Sequence, residues 1–167
     1  MNPTKLLYIS QIIRLIFTTY ILYFNNTNLY IKIIFFILSD SLDCGIPKKI
    51  FTNWIDCKSN TYQISDKITD IISYFIFLLY LKNNSNFNNQ QIKILQLLFF
   101  YRLIGFILFI KFNNRKNLFY FPNFFLEFSL IFSIINQFNL QKYNNILYII
   151  TILFKLFQEY FLHFKKL

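Results

Sequence analysis

Apolar residues fall in long runs along this chain, separated by short polar connectors. Six runs can be marked: Leu6–Phe24, Leu29–Leu42, Tyr62–Leu81, Ile92–Ile110, Phe119–Phe138 and Ile146–Phe164. A membrane helix needs about 20 apolar residues to cross a hydrocarbon core of roughly 30 Å, so each run reads as a transmembrane helix. Asn-rich and Lys-rich connectors, such as 25–28, 82–91, 111–117 and 139–145, are short, which makes neighbouring helices antiparallel. The pattern predicts an all-α integral membrane protein, a six-transmembrane-helix bundle forming one polytopic domain over 1–167. The 45–61 connector differs from the rest. Its Ile50, Phe51, Trp54 and Ile55 recur at helical spacing opposite lysines, and Pro47 suits a first helical turn. This spacing predicts an interfacial helix over 47–57 with the only Trp at headgroup depth. A plain loop is the alternative.

Composition supports the membrane reading. The chain is 56% hydrophobic and 14% charged, against about 25% charged in an ordinary soluble domain. Too few charges remain to coat a water-facing surface, and two Gly and three Pro leave little turn chemistry. A soluble enzyme, a disordered tail and a β-rich domain are thereby excluded. The net charge of +10 is spread singly and in pairs between apolar runs, not gathered in a stripe, so no nucleic-acid partner is expected. Lys5, Lys48, Lys49, Lys58, Lys111, Arg115, Lys116, Lys165 and Lys166 fall on one side of a six-span topology, while Lys82 and Lys142 fall on the other. By the positive-inside rule both termini are cytosolic. Cys44 and Cys57 share one connector. A disulfide or a zinc pair is open to them, but thiols facing a reducing compartment are the favoured reading.

The carboxylates are unevenly placed. Of five Asp, four stand in two pairs, Asp40 with Asp43 and Asp66 with Asp70. Spacings of i,i+3 and i,i+4 put each pair on one helix face. Antiparallel packing of the second and third runs brings all four to one level, on the cytosolic side of the bilayer. Charges at such depth are costly and mark function by default. Four neighbouring carboxylates repel unless cations lie between them. Two hard divalent ions, Mg²⁺ or Mn²⁺, accept such oxygens and leave positions for a pyrophosphate.

At these residues the sequence resembles the CDP-alcohol phosphatidyltransferases. Asp40-x-x-Asp43-x-Gly45, followed by Asp66-x-x-x-Asp70, is similar to that family's D-x-x-D-G-x-x-A-R and G-x-x-x-D-x-x-x-D, carried on the second and third of six transmembrane helices. The resemblance covers the 39–71 region and is architectural elsewhere. It implies transfer of a phosphatidyl group from a CDP-linked lipid, such as CDP-diacylglycerol, to an alcohol acceptor, with release of CMP, in phospholipid biosynthesis. It also implies two metal ions on Asp40, Asp43, Asp66 and Asp70, with Asp70 as general base and often a homodimer. The active site would face the cytosol, in the endoplasmic reticulum or in a bacterial or organellar inner membrane. Donor phosphates would meet Gly45, Lys48 and Lys49. Cys44 separates Asp43 from Gly45, Lys49 takes the place of the family arginine, and Tyr62 that of its second glycine. These departures leave open a second reading, a catalytically inactive relative acting as a membrane binding or assembly protein. An intramembrane prenyltransferase also uses Asp-rich motifs but needs more helices than this length supplies.

Other charges lie within the runs. Arg102 or Arg14 would hold an acceptor phosphate or hydroxyl, or else pair with Glu127 or Glu159 as structural contacts. Lys155 belongs to the same set. His163, among aromatics, is expected to snorkel at the interface.

Overall fold

The computed structural model describes residues 2–24, 27–41, 44, 47, 54–83, 86–114 and 116–161, and at Asp40, Ser41 and Lys116 the backbone alone. Helix dominates these residues, and no strand occurs among them. The helices are α1 (Pro3–Phe24), α2 (Leu29–Ser41), α3 (Asn60–Lys82), α4 (Asn89–Phe112), α5 (Lys116–Tyr120), α6 (Phe124–Phe138) and α7 (Asn144–Tyr160). A short 3₁₀ turn, Gln141–Tyr143, precedes α7. The chain divides into two compact units, Met1–Tyr80 and Leu81–Leu167.

In the first unit, Asn2 caps α1 by accepting from the Thr4 N–H at 3.1 Å, with Pro3 at the first helical position. The middle of α1 is polar inside and apolar outside. Gln11, Arg14 and Thr18 are buried, while Ile9, Ile12, Ile13, Ile16 and Phe17 are exposed. A water-facing helix has the opposite arrangement, so this surface suits a hydrocarbon environment. Lys32 of α2 turns back to the end of α1. Its Nζ donates to the Leu22 carbonyl at 2.8 Å and to the Tyr80 hydroxyl at 3.1 Å. The Leu22 carbonyl is one of those that a helix C-terminus leaves without an intrahelical partner. Phe36 stacks on Phe77 at 5.2 Å between centroids and tilts against Tyr74 at 6.0 Å. These contacts run α2 antiparallel to α3. The Tyr23–Tyr80 edge contact at 5.3 Å and the Arg14 contacts of α3 run α1 and α3 in one direction.

Most of the expected 47–57 interfacial helix lies outside the described residues. Its C-terminal part is corrected: Trp54, Ile55 and Asp56 are irregular, and Cys57–Lys58 is a turn. The cause is local. The Asp56 side chain accepts from the Lys58 N–H at 3.1 Å, closing a turn ahead of the Ser59 cap of α3. The reduced-thiol expectation is also corrected, since Cys44 and Cys57 form a disulfide with Cα atoms 6.2 Å apart.

In the second unit, α4 opens with a reciprocal box between Asn88 and Gln91 and closes on Asn113 at φ 48°. Gln91 and Asn136 exchange two amide hydrogen bonds, at 3.1 and 3.0 Å, which tie the start of α4 to the end of α6. The fifth expected run is broken at Pro122, where α5 ends and α6 begins. α7 repeats the inversion of α1: Thr151, Lys155 and Glu159 are buried, while Ile149, Ile150, Leu153, Phe154 and Phe157 are exposed.

Among the described residues, three stretches are long and apolar enough to cross a membrane: Pro3–Phe24, Asn89–Phe112 and Asn117–Phe138. Leu29–Ser39 is apolar but shorter. α3 has the length, with 23 residues, but carries Asp66, Lys67 and Asp70 in its first half. α7 has 17 residues. The protein is thus all-helical with membrane-capable helices.

Candidate active site

α3 gathers its polar residues on one side of its first half. Asp66, Asp70 and Ser73, spaced i, i+4 and i+7, are all buried, as are Gln63 and Thr69 beside them. The Ser73 hydroxyl makes no hydrogen bond. α1 presents Gln11, Arg14 and Thr18 at the matching i, i+3 and i+7 spacing. Each helix therefore turns a polar stripe inward at this level, with buried apolar residues such as Leu7 and Leu22 of α1 and Phe77 of α3 beyond it.

Between the stripes, four side chains of the described residues form an ionic cluster. The Arg14 guanidinium donates from one nitrogen to Asp66 Oδ1 at 3.1 Å and from the other to Asp70 Oδ1. Lys67 Nζ lies 2.7 Å from Asp66 Oδ2 and 2.7 Å from Asp70 Oδ2. Each carboxylate thus has one oxygen on Arg14 and the other on Lys67, so among the described residues two negative charges meet two positive ones. The planar fork of an arginine suits this bridging of two carboxylates, which a lysine in its place would not reproduce. Three of the four side chains are almost fully buried, and only Lys67, at 22% side-chain exposure, reaches the outside. Mutual neutralisation is what allows two ionised carboxylates one turn apart in a buried position.

The structure thus brings together three residues singled out in the sequence, Asp66, Asp70 and Arg14. Asp40 lies in the last turn of α2. Asp43, Gly45, Lys48 and Lys49 lie outside the described residues, as does His163. Arg102 belongs to the second unit. Its guanidinium donates to the carbonyls of Leu118 at 3.3 Å and Phe121 at 2.7 Å, which the break at Pro122 frees from helical pairing. The expected pairing of Arg14 or Arg102 with Glu127 or Glu159 is corrected. Lys155 serves both glutamates, 2.7 Å from Glu127 and 3.5 Å from Glu159, while Arg14 goes to the aspartates. Sequence reasoning missed Lys67 altogether, and it did not join Arg14 to the aspartates. The signal was the Gln11, Arg14, Thr18 spacing, a polar stripe on an otherwise apolar helix.

Among the described residues no group of three or more His, Cys, Asp and Glu side chains comes together. Asp66 and Asp70 alone do not fit a divalent ion in this arrangement, because all four of their oxygens are engaged by Arg14 and Lys67. The chain matches no family model, no curated protein and no solved structure.

Proposed function

We propose that this chain is a six-span helical membrane protein with both termini in the cytosol, acting as a CDP-alcohol phosphatidyltransferase. The observation that carries this reading is the buried Asp66–Asp70 face of α3, at the spacing of the family's second motif, within an all-helical protein whose outer surface exposes many large apolar residues. Register adds support. Lys32 meets Tyr80 and Phe36 meets Tyr74, so the next turn of α2, where Asp40 stands, runs toward the level of Asp70. The proposed site is completed by Asp43, Gly45, Lys48 and Lys49 from the following connector, facing the cytosol, with Mg²⁺ or Mn²⁺ as the cofactor. That cofactor depends on Asp40 and Asp43, since the described pair is already neutralised.

In the proposed reaction an acceptor hydroxyl oxygen bonds to the phosphorus that carries the diacylglycerol. The bond from that phosphorus to the bridging oxygen breaks, and CMP leaves with the electron pair. The hydroxyl proton goes to Asp70, whose carboxylate must first give up one cation contact. Lys67, the more exposed cation, is the one placed to withdraw. A general base acts within hydrogen-bond reach of its proton, and its contribution is typically 10²–10⁴-fold.

One observation favours a second reading. Because every oxygen of Asp66 and Asp70 is engaged, the cluster would also serve as a purely structural tie in a catalytically inactive membrane relative that binds or assembles other components. The test is incubation of the purified protein with CDP-diacylglycerol, Mn²⁺ and a panel of alcohols including inositol, glycerol 3-phosphate and serine. Mass spectrometry should find one new phospholipid and stoichiometric CMP. No product with any alcohol would favour the inactive relative.

A further inference from the structure

Lys67 stands between two acids in sequence, and its ammonium stands between the same two acids in space. Nζ is 2.7 Å from Asp66 Oδ2 and 2.7 Å from Asp70 Oδ2, oxygens of two carboxylates on successive turns of α3. An ammonium is a compact point charge, and here it bridges two carboxylates as a metal ion would. Arg14 meets the same carboxylates differently, with two nitrogens of a planar fork on the Oδ1 atoms. The Oδ2 pair is thus the one that a hard divalent ion would use. Mg²⁺ takes such oxygens at about 2.0–2.1 Å and is commonly held by one or two carboxylates, with water completing its shell. To reach both Oδ2 atoms that closely, the ion would have to enter the gap that the Lys67 ammonium fills. Two cations cannot share that gap, so each excludes the other. Lys67 also has the most exposed side chain of the cluster, 22% against 5–8% for Asp66, Asp70 and Arg14. Its stem therefore marks a path from the outside to the Oδ2 pair.

We propose that Lys67 is a built-in counter-cation that keeps divalent ions off the Asp66–Asp70 pair, and that removing it turns this pair into a divalent-ion site. The inference departs from the family resemblance, which expects both aspartates to ligate metal. All three residues belong to one helix, so the arrangement does not depend on how α3 packs against its neighbours. It is independent of CDP-lipid turnover, and its test reads ion binding alone.

The full chain is purified into phosphatidylcholine nanodiscs and titrated with Mn²⁺, the bound ion being counted from the loss of the free-ion paramagnetic resonance signal. Wild type sets the baseline, which includes any ion held elsewhere on the chain. Lys67→Met should bind one Mn²⁺ more per chain than wild type. Lys67→Arg keeps a cation in the gap and should stay at the baseline. Adding Asp66→Asn to Lys67→Met should abolish the extra ion, because one of the two Oδ2 ligands is then lost. Thermal unfolding is read in the same samples. Without Mn²⁺, Lys67→Met should melt below wild type, and Mn²⁺ should raise its melting temperature by more than it raises that of wild type. Lys67→Gln, which leaves an amide donor beside the carboxylates, repeats the comparison in case the methionine variant does not fold. Equal Mn²⁺ binding by wild type and the folded neutral variants would overturn the proposal. So would an extra ion that survives Asp66→Asn.

Discussion

Arg14 illustrates how one side chain can set the character of a whole helix pair. It is one cation on α1 serving two carboxylates on α3, and its partner in that task, Lys67, comes from α3 itself. Removing one member of a buried ionic group leaves uncompensated charge, at a cost of about 3–5 kcal/mol. Arg14→Met should therefore lower stability by about that amount, measured by thermal unfolding in detergent. Arg14→Lys should lie between, since a lysine keeps the charge but loses the two-pronged geometry. If Arg14→Met melted with wild type, the cluster would not be what ties α1 to α3. Gly105 is the second residue whose size is dictated by a neighbour. A Cβ there would lie 2.8 Å from Phe121 Cγ, and the ring is held beside the break at Pro122. Gly105→Ala should cost about 1–3 kcal/mol through overpacking, read in the same unfolding assay, whereas an unchanged melting temperature would mean that the Phe121 backbone yields freely.

At the scale of elements, the hydrophobic pattern located nearly every helix, because runs of this length leave little else for the backbone to do in hydrocarbon. The boundaries it missed have local causes. Pro122 splits the fifth run into α5 and α6, and the freed carbonyls are then covered by Arg102 and by the Tyr101 hydroxyl, which donates to Tyr120 at 2.5 Å. Neither capture is visible in a periodicity, because it depends on α4 lying against the break. Trp54 and Ile55 have helical spacing, yet they are irregular ahead of the Asp56 turn. Within the candidate site, the aspartate pair of α3 was legible from i,i+4 spacing alone. Its cations were not, since Arg14 is 52 residues distant from Asp66 in sequence and the pairing follows only from how α1 lies against α3. The inverted faces of α1 and α7 were legible only in part. The sequence displays the polar stripes, but which side faces inward is a property of the packed unit.

For the whole molecule, the membrane topology rests most heavily on α3, which has the length to span but carries three charges in its first half. Cysteines placed singly at Asn60 and Asn88, in a variant with Cys44 and Cys57 replaced, should react with an impermeant thiol reagent from opposite sides of sealed vesicles. Labelling from one side only would mean that α3 does not cross and that the six-span proposal fails. Chemistry at the buried aspartate face is read by a single substitution. Asp70→Asn keeps the shape of the side chain, so the variant can be compared with wild type at equal folded content, as judged by thermal unfolding. Turnover of CDP-diacylglycerol to phospholipid and CMP is then measured for both proteins with saturating alcohol. With a general base lost, kcat should fall about 10²–10⁴-fold while CDP-lipid affinity is largely retained. Full turnover by folded Asp70→Asn would contradict it.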